Sequence, residues 1–108
     1  MTTFDDREKA FEAKYRLDQE TAFKVMVRRD KLFGLWAAGL LGLDGAEATT
    51  YAKTVIDTEL GAGDHDVVHK VAKDFDERGV AIDASRLRKT LDALHETARE
   101  QIMAEFVK

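Results

Sequence analysis

His65 and His69 stand four residues apart, with Asp64 and Asp66 beside them. On one helix face that spacing brings together two imidazoles and a carboxylate, a set able to ligate a divalent metal. The same pattern arises at an acidic helix start whose histidines are merely solvated, and that plainer reading is preferred; no metal is expected. His95 borders an apolar stripe and reads as a boundary residue. Asp74, Asp76 and Glu77 cluster carboxylates at a helix end, where solvation is the ordinary fate. Gly34 and Gly39 lack the lysine and the strand-to-helix context of a phosphate loop. No serine–histidine or paired-carboxylate arrangement stands out, and catalysis needs a pocket with a perturbed base or nucleophile. The chain is therefore expected to be no enzyme and to carry no cofactor.

Composition narrows the remaining classes. The 108 residues suit one domain, with 44% hydrophobic residues to fill a modest core and 35% charged residues to solvate it. Without cysteine there are no disulfides and no thiolate chemistry. A net charge of −4 argues against nucleic acid, whose binders rely on basic patches that release phosphate counterions. The run from Leu32 to Leu41 is far shorter than the ~20 residues that span a bilayer, so no membrane insertion is expected. Charge at Asp5, Asp6, Arg7, Glu8 and Lys9 leaves no apolar stretch for a signal peptide. A reducing, cytoplasmic setting follows as the expectation.

The elements that would position any site are all helical. Asp44 and Glu47 have capping-box spacing ahead of Ala48, Tyr51, Ala52, Val55 and Ile56. Gly61-Ala62-Gly63 should close that helix and Asp64 should cap the next, with Asp66 set against its dipole. Val68, Val71, Ala72 and Phe75 mark the third helix, which stops at Gly79. Asp83 then caps a last helix with the stripe Leu87, Leu91, Leu94, Ala98 and Ile102. Trp36 is read as core.

Between Phe4 and Leu41 there is neither proline nor a turn cluster. The stripe Phe4, Phe11, Tyr15, Ala22, Met26 and Phe33 alternates steps of seven and four, and an eleven-residue repeat stays on nearly one line of an α-helix. Such a helix would reach roughly 57 Å against roughly 24 to 36 Å for its partners. It should outrun them. Phe23, Met26, Leu32, Phe33, Leu35, Trp36, Leu40 and Leu41 form the expected anchor. The fold expected is all-α: a four-helix bundle over residues 19–108, with an overhanging arm over residues 1–18 that is disordered or only nascently helical when free. An uncovered aromatic stripe has to be covered by something, either a partner or, less favoured, a second copy in a coiled coil. The free protein is expected to be a monomer.

The segment Phe4-Asp5-Asp6-Arg7-Glu8-Lys9-Ala10-Phe11-Glu12-Ala13-Lys14-Tyr15 closely resembles the start of the zeta subunit of alphaproteobacterial F-type ATP synthases. Arg28 to Ala38 resembles that family's second signature. Tyr51-Ala52-Lys53, the stretch from Asp64 to Val80 and Leu87-Arg88-Lys89-Thr90 continue the resemblance in order. Gly39, where relatives usually have a good helix former, and Phe33, bulkier than the usual leucine, depart from the pattern without touching the arm.

What the resemblance implies is inhibition of ATP hydrolysis. The N-terminal segment would enter a catalytic α/β interface of the ATPase head near the central stalk, making the α, β and γ subunits the partners. The protein would then sit at the cytoplasmic face of the inner membrane through the synthase. Phe4, Phe11 and Tyr15 would be buried anchors, since large aromatics dominate interface energies. Asp5, Asp6, Arg7, Glu8, Glu12 and Lys14 would set register and encounter rate more than affinity. The alternatives are a bundle that binds a nucleotide or metal, and a homo-oligomeric scaffold.

Overall fold

A computed structural model gives four helices in chain order, α1 (Thr3–Leu40), α2 (Gly45–Leu60), α3 (Val67–Arg78) and α4 (Ala84–Phe106). It describes the backbone of residues 3–106 and the side chains of residues 18–106. The expected order or disorder of the free arm falls on residues outside those described in full. Among the described residues there is no strand, and the expected all-α architecture with a long first helix is what forms.

Each helix end has a local cause. Gly42, at φ +81°, lets the chain turn back at the end of α1, with Leu43 N–H donating to Ala38 C=O (2.9 Å) and Gly42 N–H to Gly39 C=O (3.2 Å). Gly79, at φ +72°, closes α3 with the same pair of bonds, Val80 N–H to Phe75 C=O and Gly79 N–H to Asp76 C=O. At the start of α4, Asp83 Oδ1 accepts from Arg86 N–H at 2.9 Å, as its spacing predicts.

Two caps differ from the sequence expectation. Asp66, not Asp64, is the N-cap of α3, and its carboxylate accepts from the N–H groups of Val68 and His69 at 3.0 and 3.2 Å. Asp64 sits two residues earlier and accepts from Asp66 N–H instead. A start at Val67 is what places Val67, Val68, Val71 and Phe75 together in the core. Asp44 occupies the N-cap position of α2, but its side chain makes no capping hydrogen bond.

The core has two parts. Where all four helices meet, Phe33, Ala37, Val55, Val67, Val68, Val71, Phe75, Leu87 and Leu91 are buried together. Trp36 packs on this cluster, its ring stacked on Phe33 (5.8 Å between centroids) and tilted against Phe75 (6.2 Å). Further along α1 a smaller cluster joins Val25 to Ala98 and Ile102 of α4 alone. The anchor residues named from sequence divide accordingly: Phe33 is buried, while Phe23 and Leu40 are 52% and 43% exposed. Ala22 is exposed as well, so the seven-four stripe leaves the core before it reaches the arm. Val25, absent from that stripe, takes the buried position instead.

Candidate functional site

The residues assigned to partner binding, Phe4, Asp5, Asp6, Arg7, Glu8, Phe11, Glu12, Lys14 and Tyr15, all belong to the first part of α1. Their side chains lie outside the described residues, so what the structure supplies is the mount on which they are carried. α1 and α4 run antiparallel. Arg28 donates to Gln101 Oε1 and to Glu105 Oε1, both at 2.8 Å, and Lys24 Nζ lies over the Phe106 ring at 5.6 Å from its centroid. Phe106 is the last residue of α4, whereas α1 begins at Thr3. The helix axis thus continues for about 20 residues, roughly 30 Å, past the point where α4 stops.

Two polar clusters tie the helices of the mount together. On α2, Tyr51 donates its hydroxyl proton to Asp74 Oδ2 of α3 at 2.7 Å. Lys70 Nζ donates to the same oxygen at 2.7 Å and lies over the Tyr51 ring. Burial, with the Asp74 carboxylate next in effect, pushes the Tyr51 phenol above its ordinary range, so it stays a proton donor. Asp74 is therefore not a solvated helix-end carboxylate, as its position suggests, but a half-buried tie between α2 and α3; Asp76 and Glu77 are exposed.

The second cluster joins α1 to α2. Arg29 donates Nε–H to Asp30 Oδ1 at 3.0 Å and an Nη2 proton to Glu59 Oε1 at 2.8 Å. Asp30 is 0% exposed, the single buried charged residue among those described. Its Oδ2 is buried with no hydrogen-bond partner. Burial, reinforced by the Glu59 carboxylate, pushes the Asp30 carboxyl up to about 7 against the pull of Arg29. Sequence reasoning passed over this group, although a signal was present. Asp30, Phe33 and Ala37 share one face by helical spacing, and all three are fully buried.

The two histidines considered for metal binding turn to different partners. His69 Nδ1 meets Asp64 Oδ2 at 2.9 Å, and His65 Nδ1 meets the carbonyl of Glu59 at 3.0 Å. The N–H of Asp66, then the His69 contact, hold the exposed Asp64 carboxyl below its usual range. Among the described residues no group of three or more His, Cys, Asp or Glu side chains is placed to hold a metal ion. No described helix is long and apolar enough to cross a membrane.

The geometry is thus a long helix presented by a compact mount, a form suited to gripping another macromolecule. No curated protein matches the chain. Residues 1–101, however, match the family described as ATPase inhibitor subunit zeta. With nearly the whole chain inside that match, the protein belongs to the zeta family of ATPase inhibitors, regulatory subunits of the ATP synthase and not enzymes.

Proposed function

We propose that this subunit inhibits ATP hydrolysis by inserting its arm, residues 1–18, into a catalytic α/β interface of the ATPase head near the γ subunit. The bundle of residues 19–108 stays outside as the anchor. The observation that supports this reading is the run of α1 past the end of α4 beside Lys24, which offers a rod roughly 30 Å long to a partner's groove. A helix wedged between subunits that must open and close in turn blocks that cycle without any chemistry of its own. On this reading Phe4, Phe11 and Tyr15 fill apolar pockets, and the charges around them select the register. The site of action is then the cytoplasmic face of the inner membrane, where the head is carried.

Steady-state ATP hydrolysis by the purified cognate head tests the proposal directly. The full chain should give saturable inhibition, and a chain lacking residues 1–18 should give none. Equal inhibition by both forms would move the activity into the bundle, and no inhibition by either would overturn the reading.

A further inference from the structure

We propose that Asp30 and Glu59 form a proton-sharing carboxyl pair, so that the attachment of α1 to α2 weakens as pH rises from the acid side towards neutrality. The inference stands on the geometry of the bundle and holds whether or not the arm enters a catalytic interface.

Two carboxyl groups and one guanidinium meet at this joint, Asp30 and Arg29 from α1 and Glu59 from α2. With both carboxylates ionised the cluster carries one uncompensated negative charge. The Oδ2 of Asp30 has no hydrogen-bond donor among the described residues, and the residue is 0% exposed. A carboxylate left in that condition is costly, because burial removes its hydration and the nearby carboxylate repels it. One added proton removes both faults. The protonated Asp30 gains an O–H donor, the Glu59 carboxylate held on the same Arg29 guanidinium offers it an acceptor, and the cluster becomes neutral with Arg29 serving Glu59 through the 2.8 Å ion pair.

No other group takes over this role. Arg29 is the charged side chain of α1 in contact with Asp30, and Glu59 is that of α2. In the segment before α3, His65 faces the backbone carbonyl of Glu59, not its carboxylate. Among the described residues, no charged side chain of α3 or α4 forms a hydrogen bond or ion pair with Asp30. The Asp30 carboxyl, held up to about 7 in the folded chain, has an ordinary value near 4 when unfolded. The folded state therefore retains a proton that the unfolded chain has released. Stability from this group is fully present below about pH 4, declines as pH rises and is lost by about pH 7.

The test is thermal and denaturant unfolding of the intact chain from pH 5 to 8.5, alongside Asp30→Asn. For the native sequence the unfolding constant should rise with pH below 7, approaching about tenfold per unit where one proton separates the two states. Asp30→Asn supplies a permanent donor in the same shape, so it should remove most of that slope and be the more stable protein at pH 8. The variant differs from the native sequence at this one carboxyl, so the difference between the two profiles isolates Asp30. Should the asparagine variant fail to fold, Glu59→Gln gives the same comparison from the other side of the joint. Carboxyl ¹³C NMR of Asp30 in the unaltered chain gives a direct reading. A titration midpoint near neutrality supports the proposal; a midpoint below pH 5, or an unchanged slope in the folded variants, overturns it.

Discussion

A Cβ built on Gly34 would lie 2.6 Å from the Cα of Ala52 and 3.0 Å from its Cβ, so α1 and α2 cross backbone against backbone at this point. Five residues later in the same helix, Gly39 has nothing within 4 Å of the equivalent position. The two glycines should respond oppositely to alanine. Gly34→Ala forces the helices apart and should cost about 1–3 kcal/mol despite its better helix propensity. Gly39→Ala meets open space and should stabilise by up to about 1 kcal/mol. Urea unfolding of both variants decides the matter, and a shared sign would refute the close crossing.

The helix starts offer a second comparison. Asp66 accepts two backbone N–H bonds at the head of α3, whereas Asp44 at the head of α2 accepts none through its side chain. Asp66→Ala should therefore cost about 1 kcal/mol. Asp44→Ala should fall well below that, within the ordinary range of an exposed substitution. Circular-dichroism melts would show the ordering.

Phe33 and Phe23 both read as anchor residues in the sequence, yet one is 0% and the other 52% exposed. Phe33→Ala removes a ring shared with Trp36 and the main core, and should cost about 3–5 kcal/mol. Phe23→Ala should leave the unfolding midpoint nearly unchanged.

For the arm, alanine at both Phe11 and Tyr15 should raise the concentration needed for half-inhibition of ATP hydrolysis at least tenfold, a loss of about 1.4 kcal/mol or more. The unfolding midpoint of the bundle should not move. Full inhibitory strength in the double variant would show that the grip lies elsewhere on α1.

Most of the helical plan was legible because its punctuation is local. Gly61, Gly79 and Asp83 act on the residues next to them, and the stripe of α4 needs only its own spacing to be read. What stayed hidden depends on contacts between helices. Asp64 and Asp66 are equivalent acceptors in sequence; the core position of Val67 and Val68 chooses between them. Asp74 resembles any carboxylate near a helix end until Tyr51 is folded over it. Asp30 was obscured because it sits between charged neighbours, Arg29 and Lys31, which suggest a solvated face. Its burial follows from the register of Phe33 and Ala37 on the same side. The residues proposed for the arm rest on the resemblance and on their aromatic spacing in the sequence, and only an encounter with another protein would test them.

The antiparallel seam between α1 and α4 also has a mechanical meaning. Val25 against Ala98 and Ile102, Arg28 against Gln101 and Glu105, and Lys24 against Phe106 lie in a row along the axis of α1. Tension applied at the far end of that helix reaches the row in shear, so its contacts resist together instead of peeling apart one at a time. If the arm is held in the ATPase head as proposed, a pull on its tip would meet a stiff tether at this row of contacts.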